Sequence, residues 1–254
     1  MRDTLGWRVK FAIITPGGNT VVQPEFDAMR PTGVTNNTFR ISNLALSTGE
    51  WTTDDQFLDV LKILDSNIEP AVRDAMTCEP DHIILGLSSE SIWDGGMAAA
   101  AKLRKRIELA AGQSIRVTLA ADAIPAALNA YGVVGKVAVL TPYFGIAESH
   151  IRSYMQEIGF PVAQILNLAT KRPLEIAQVS EKQMVEAVEQ LNCDDAVAIV
   201  QFGANLPFAN VAAKAEEAIG KPVIAVNTAT YWHALRGNGI SDQVLGWGRL
   251  LADH

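Results

Sequence analysis

The chain has 254 residues, of which 48% are hydrophobic and 19% are charged, a globular balance that excludes a largely disordered chain. Its formal net charge of −7 at pH 7 argues against nucleic-acid binding, because no excess of basic side chains is available to neutralise phosphates. No signal segment opens the chain and no apolar run approaches the ~20 residues that span a bilayer, so we expect a cytoplasmic protein without membrane contact.

Short apolar segments of strand length alternate along the chain with segments of helical periodicity. In chain order, strands are expected at residues 9–15, 37–41, 82–87, 115–119, 136–141, 162–168, 196–202 and 222–226. Helices are expected at residues 54–76, 96–111, 147–158, 181–191 and 209–219. This alternation predicts βαβ units and parallel strands that are covered on both faces.

The two halves of the chain resemble each other weakly. Ile14-Thr15-Pro16-Gly17 matches Leu140-Thr141-Pro142-Tyr143, and each segment ends the strand that opens its half. We therefore predict two pseudo-symmetric α/β lobes, each a four-stranded parallel sheet flanked by helices, rather than one (β/α)8 barrel. Residues 1–121 with about 228–254 are expected to form the first lobe, and residues 122–227 the second.

Four loops follow the predicted strands at the places where open α/β sheets bind ligands, namely 16–20, 87–91, 142–145 and 203–206. If the lobes face each other, these loops enclose one small-molecule site. In the first loop, Gly17 and Gly18 allow an anion to approach the backbone, and Asn19 and Thr20 add neutral hydrogen-bond donors. The alternative is a plain glycine turn in which Thr20 caps the following helix.

The other loops carry the candidate catalytic groups. Ser88 and Ser89 can cradle a carboxylate or an oxyanion without adding charge. Glu90 is the ionisable group directly at this strand end and could act as general acid or base; alternatively it points to solvent. Tyr143 can donate a hydrogen bond or a proton into the cleft. Amide groups suited to an oxygen anion come from Gly203, Ala204 and Asn205.

The two cysteines precede their strands instead of following them. Cys78 lies ahead of residues 82–87 and Cys193 ahead of residues 196–202. Because such a strand separates its ends by roughly 20 Å, both thiols are expected at the amino ends, away from the cleft, and to be inert. With no close ligand spacing among the four histidines and two cysteines, we predict no metal site.

Several segments carry a family resemblance over nearly the whole chain. They are residues 13–20 with Pro24-Glu25-Phe26, Leu140-Thr141-Pro142-Tyr143, Pro222-Val223-Ile224, Tyr231-Trp232, and Gly246-Trp247-Gly248-Arg249-Leu250. In their order and spacing they resemble the aspartate/glutamate racemase superfamily, and within it the maleate isomerase and arylmalonate decarboxylase branch.

The resemblance implies two similar four-stranded lobes around one cofactor-free site, and a homo-oligomer. It assigns the binding of a substrate carboxylate to Asn19, Ser88, Ser89, Tyr143, Ala204 and Asn205. Isomerases and racemases of this family use two cysteines, one directly after the third strand of each lobe, and the decarboxylases keep only the second. The matching positions here are Leu87, or alternatively Ser88, and Gly203.

We therefore expect a cofactor-independent isomerase, decarboxylase or other lyase that acts on a small carboxylate or dicarboxylate without cysteine catalysis. One alternative is a hydrolase in which Glu90 activates a water molecule beside the oxyanion cradle. The other alternative is a homologue that binds carboxylates without turning them over.

Overall fold

Two four-stranded parallel sheets organise the chain in the computed structural model, which describes residues 3–43, 50–93 and 96–254. The first sheet contains β1 (Val9–Pro16), β2 (Val34–Ile41), β3 (His82–Leu85) and β4 (Arg116–Thr118), in the order β2-β1-β3-β4. The second contains β5 (Val137–Thr141), β6 (Val162–Asn167), β7 (Ala198–Gln201) and β8 (Val223–Ala225), in the order β6-β5-β7-β8. The predicted fold class is confirmed, and the two sheets share one topology.

Helices flank both sheets. In the first half they are α1 (Val22–Ala28), α2 (Asp54–Ser66), α3 (Ile68–Ala75), α4 (Ser89–Ile92), α5 (Gly96–Ala111) and α6 (Ala120–Ala130). In the second half they are α7 (Ile146–Glu157), α8 (Pro173–Ile176), α9 (Glu181–Leu191), α10 (Ala209–Ile219), α11 (Val226–Gly237) and α12 (Arg249–Asp253). A 3₁₀ turn, Met76–Cys78, follows α3.

The prediction of one long helix at residues 54–76 is wrong in one respect, because the structure divides this segment into two helices at Asn67. That residue has φ −112° and ψ 7°, outside the helical region. The cause lies three residues on, where Pro70 has no amide hydrogen and its ring would clash with the carbonyl group of Ser66 in a continuous helix. The start of α2 is fixed by a capping box in which Thr53 and Gln56 bond each other's backbone.

The edge strand β2 begins three residues earlier than predicted. Thr35 and Asn36 interrupt the apolar pattern there, but the strand is half-buried over most of its length. Polar side chains can therefore occupy an edge strand that pairs on one side only.

The central strands of each sheet place their carboxyl ends at one edge. Residues Phe11 to Ile14 of β1 pair in parallel register with His82 to Leu85 of β3. In the second sheet, Val137 to Leu140 of β5 pair with Ala198 to Gln201 of β7. Since parallel strands end at the same edge, the loops that follow β1 and β3 lie together, as do those that follow β5 and β7.

After β8 the chain returns to the first sheet. The hydroxyl group of Tyr231 on α11 donates to Asn36 of β2 at 3.1 Å, and Arg8 pairs with Asp242. These contacts agree with a first lobe that includes the carboxyl-terminal residues, although the boundaries at 121 and 228 remain a prediction. Within the described ranges, no helix combines the length and apolarity needed to cross a membrane.

Candidate active site

A small pocket lies where the strand-end loops of the two sheets meet. Its volume is about 60 Å³, which corresponds to on the order of five water molecules. Its polar side chains, called here the floor, are Asn19, Ser88, Ser89, Tyr143 and Asn205. Six of its apolar side chains, called here the roof, are Trp51, Phe57, Val60, Leu61, Leu64 and Ile176; Pro16, Leu87, Pro173 and Ala204 also line it. The pocket therefore combines neutral hydrogen-bonding groups from the strand-end loops with hydrocarbon, much of it from α2.

Asn19, in the loop after β1, both caps a helix and lines the pocket. Its Oδ1 accepts hydrogen bonds from the backbone nitrogens of Val21 and Val22 at 3.0 and 2.9 Å and so caps α1. The residue also lines the pocket. The alternative in which Thr20 caps the helix is therefore wrong. Thr20 is exposed and is not among the described lining residues, but its backbone nitrogen donates to Asn205 Oδ1 at 2.9 Å.

Ser88 connects three of the loops. Its Oγ accepts a hydrogen bond from the backbone nitrogen of Gly203 at 3.0 Å and lies 3.4 Å from the hydroxyl group of Tyr143. The Gly203 amide, which the sequence assigned to an oxygen anion, is thus already engaged by Ser88. Gly203 has φ +100°, and a Cβ atom there would stand 2.4 Å from Pro142 Cγ. Only glycine allows this approach of the two loops.

Tyr143 stands at the centre of the floor. Burial raises the pKa of its phenol to about 12, while the hydroxyl groups of Ser88 and Ser89 act in the opposite direction. The phenol is therefore protonated at neutral pH and can donate a hydrogen bond. Its ring packs against Phe57 of the roof, with the ring centroids 5.4 Å apart.

Glu90 lies behind the floor instead of within it. Ser89 Oγ donates to Glu90 Oε2 at 2.6 Å, whereas Glu90 itself lines a different cavity. Burial raises the pKa of its carboxyl group to about 7, against the lowering effect of the Ser89 hydrogen bond. The carboxyl group thus faces this second cavity and does not line the pocket, and its part in acid–base chemistry remains a prediction.

Ala204 and Asn205 both line the pocket. Asn205 ties its loop to two others, because its Oδ1 accepts from the backbone nitrogen of Thr20 and its Nδ2 donates to the carbonyl oxygen of Pro173 at 3.0 Å. The Ala204 carbonyl oxygen accepts from Asn227 Nδ2 at 3.0 Å.

The sequence analysis did not single out Glu25 as a residue that supports the pocket loops. Its Oε2 accepts from Asn227 Nδ2 at 2.6 Å, and its Oε1 accepts from the backbone nitrogen of Ala209 at 3.1 Å. Burial raises its pKa to about 7. Because Asn227 also holds Ala204, Glu25 supports the loop after β7 from behind. Glu25 belongs to a segment that carries the family resemblance, which was the available signal.

The roof was also missed as part of a site. The apolar residues of α2 were expected to be core residues because they recur at helical spacing. In the structure Phe57, Val60, Leu61 and Leu64 are indeed buried, but they also cover the pocket. Periodicity cannot distinguish these two roles.

The cysteines lie at the amino ends of the strands, as predicted. Cys78 sits in the 3₁₀ turn before β3, and Cys193 lies between α9 and β7. Neither cysteine is among the described residues that line the pocket. Burial raises the pKa of the Cys78 thiol, which disfavours the reactive thiolate. Across residues 3–43, 50–93 and 96–254, no group of three or more His, Cys, Asp or Glu side chains could hold a metal ion.

The fold and the pocket define a two-sheet α/β protein with a small-molecule pocket at the strand ends. The chain belongs to the arylmalonate decarboxylase family, whose profile matches residues 13–251. This confirms the branch that the sequence motifs indicated.

Two curated relatives are maleate isomerases. The one from Alcaligenes faecalis is 26% identical over 142 residues, which is 56% of each chain. The one from Geobacillus stearothermophilus is 24% identical over 118 residues, 46% of this chain and 47% of that protein. The chain thus spans about half the length of the curated relatives it matches.

Solved structures confirm the fold over almost the full chain. A mutant of the Nocardia farcinica maleate cis-trans isomerase, with a covalently bound succinylcysteine intermediate, superposes with a TM-score of 0.84 at 20% identity and covers 97% of this chain and 99% of that one. Unliganded arylmalonate decarboxylase superposes with a TM-score of 0.74 at 18% identity, covering 96% of this chain and 98% of that one.

Proposed function

We propose that the protein is a cofactor-independent decarboxylase of small dicarboxylic acids that works without cysteine. The observation that supports this most is the pocket itself, with its neutral polar floor under an apolar roof. Of the described residues that line it, none is cationic and none is a thiol. A cytoplasmic location and a homo-oligomeric assembly remain predictions from the sequence.

The floor suits a carboxylate that gains electron density during reaction. The protonated phenol of Tyr143 and the amide and hydroxyl groups of the floor are fixed dipoles in a pocket that is otherwise lined by hydrocarbon. Such preorganised donors stabilise charge that develops in a transition state more than charge already present in the substrate. An enediolate, which concentrates charge on the carboxylate oxygens, is the species that they would stabilise.

The roof suits a carboxylate that leaves. An ionised carboxylate loses its hydration against hydrocarbon such as Trp51 and Leu64, whereas neutral CO2 does not. In the proposed step the bond between the α-carbon and this carboxylate breaks. Its electron pair stays on the α-carbon and spreads into the carboxylate on the floor, CO2 leaves, and one proton adds to the carbon. The substrate class is therefore a malonate-type acid with both carboxylates on one carbon.

Isomerisation of maleate, the reaction for which the curated relatives are named, is the second candidate. The Nocardia farcinica structure holds a succinylcysteine intermediate, which is an adduct with a thiol. In this chain both thiols lie at the opposite strand ends, so an isomerase would need another nucleophile. A hydrolase has less support, because Glu90 lies behind Ser89 and lines the second cavity instead of the pocket.

The test is turnover of small dicarboxylic acids in D2O, followed by NMR. We expect malonate-type acids to release CO2 and give a monocarboxylate with one deuterium on the former α-carbon. The variants Cys78→Ala and Cys193→Ala should retain activity within about twofold, because surface or rim changes away from a site have small effects. A loss above a thousandfold in either variant would contradict a mechanism without cysteine. Tight binding without turnover would instead indicate a carboxylate-binding homologue.

A further inference from the structure

Two consecutive residues at the start of α4 face different spaces. Ser89 lines the pocket, whereas Glu90 lines a second cavity of about 330 Å³. This second cavity is bounded by α2, by α5 and by Trp93, and Leu61 lines both spaces. The two spaces are thus neighbours, and the Ser89–Glu90 pair stands between them.

A short hydrogen bond joins the pair. Ser89 Oγ donates to Glu90 Oε2 at 2.6 Å. The other carboxyl oxygen, Oε1, is buried and has no hydrogen-bond partner among the described residues. Burial raises the pKa of this carboxyl group to about 7, so both protonation states are populated near neutral pH. When the carboxyl group is protonated, its hydrogen can be donated to Ser89 Oγ, and the direction of the bond reverses.

Charged groups approach Glu90 from two helices. On α2, Lys62 and Asp65 line the second cavity, and on α5, Lys102 and Arg106 line it. Arg106 is committed to Asp65 at 2.7 Å and to Glu69 at 2.6 Å. Asp65 raises the pKa of Glu90 further. On the pocket side the phenol of Tyr143 is the titratable group, and Glu90 in turn raises its pKa.

We propose that Glu90 is a positioning residue that passes a proton into the pocket through the hydroxyl group of Ser89 and regains one from water in the second cavity. This role rests on the proposed decarboxylation, which consumes one proton per turnover. The Ser89 proton would go to the α-carbon as the electron pair left by CO2 takes it up. The Glu90 proton would move to Ser89 Oγ, and solvent would restore the Glu90 proton. The net change is a dicarboxylate plus one proton giving a monocarboxylate plus CO2.

The sharpest variant is Glu90→Gln, which keeps the shape but cannot transfer a proton. In the wild type kcat should fall as pH rises through about 7, because only the protonated form delivers a proton. In Glu90→Gln we expect that pH-dependent fall to disappear and kcat to drop by about 10²-fold, with KM little changed. For Glu90→Ala, acetic acid should restore kcat in a saturable way. An unchanged kcat and pH profile in Glu90→Gln would overturn the relay.

Glu25→Gln is the matched control, since burial raises the pKa of Glu25 to about 7 as well but it is absent from the described lining of both spaces. Its variant should keep the fall in kcat near pH 7. If Glu25→Gln removed that fall and Glu90→Gln did not, the relay would be wrong.

A second measurement needs no turnover. Infrared difference spectra of the wild type against Glu90→Gln follow the Glu90 carboxyl band as pH rises, with and without malonate as the probe. We expect malonate to shift this titration, and Ser89→Ala to abolish the shift. Turnover with a normal Glu90→Gln pH profile would overturn the relay while the proposed function stands. If malonate shifts the Glu90 titration but no turnover occurs, the proposed function is wrong, while the link from the pocket through Ser89 to Glu90 still stands. Neither turnover nor shift would overturn both.

Discussion

The Oγ atom of Ser88 lies 3.0 Å from the backbone nitrogen of Gly203 and accepts its hydrogen bond. Ser88 follows β3 of the first sheet and Gly203 follows β7 of the second, so this bond joins the two sheets at the floor of the pocket. It also fixes the Ser88 hydroxyl group beside the phenol of Tyr143. The relationship explains why small residues occupy both loops, since larger ones would hold the sheets apart.

Ser88→Ala should destabilise the fold as well as lower activity. The substitution leaves the buried Gly203 amide without its partner, which costs about 1–3 kcal/mol. Urea unfolding measures this change. Ser149→Ala is the control, because the Ser149 hydroxyl group bonds only its own helix at an exposed site and should cost within about 0.5 kcal/mol. Equal effects of the two substitutions would show that the bond between the sheets contributes nothing.

Gly203→Ala should be more harmful than an alanine at another glycine of similar backbone conformation. At Gly203 the new Cβ atom meets Pro142 at 2.4 Å, whereas at Gly112, with φ +70°, nothing lies within 4 Å. Gly112→Ala should cost about 1–2 kcal/mol for the left-handed conformation alone. Gly203→Ala adds the clash and should separate the two loops. Thermal unfolding and turnover measure the difference, and similar losses in both variants would refute the close approach.

Tyr143→Phe should lower turnover by about 10²-fold, the effect expected when one donor to a developing oxyanion is removed, with little loss of stability. The contact of its phenol with Ser88 Oγ is long, at 3.4 Å. Tyr154→Phe is the opposite case, since the Tyr154 hydroxyl group donates to the Ala121 carbonyl oxygen at 2.8 Å. That variant should lose about 1 kcal/mol of stability and keep its activity. Steady-state kinetics and urea unfolding of both variants separate the two effects.

His82 should make the folded state sensitive to acid. Burial, with smaller contributions from His233 and Arg116, lowers the pKa of His82 from 6.5 to about 3. The unfolded chain therefore binds a proton between these values that the folded chain does not. The contribution of His82 to stability should be constant above pH 6.5 and fall below it, by up to about 1.4 kcal/mol per pH unit, whereas the raised pKa values of Glu25 and Glu90 act in the opposite direction.

The matched variant is His82→Gln, in which a neutral amide replaces the ring that bonds Thr118 and Asn238. Chemical unfolding as a function of pH should show that the free energy of unfolding of the wild type, relative to this variant, falls between pH 6.5 and 4. An identical decline in both proteins would assign the acid sensitivity to other groups.

The amino-acid sequence by itself determined the strands, the parallel topology and the polar character of the strand-end loops. These features follow from local patterns, since a buried strand needs a continuous apolar run and its end needs turn residues. The positions of Cys78 and Cys193 also followed from the sequence, because order along a strand dictates which rim a residue occupies. The break at Asn67 was visible in Pro70, although helical periodicity outweighed it in the prediction.

Tertiary structure alone decided which side chains share the pocket and which stand behind it. Glu90 and Ser89 are neighbours in sequence, but they face separate spaces because a short helix points consecutive side chains in different directions. Glu25 and Asn227 lie 202 residues apart and yet bond each other, which no local signal encodes. The roof closes because α2 packs across the strand ends, and the partner of an apolar helix face depends on the packing of the whole chain.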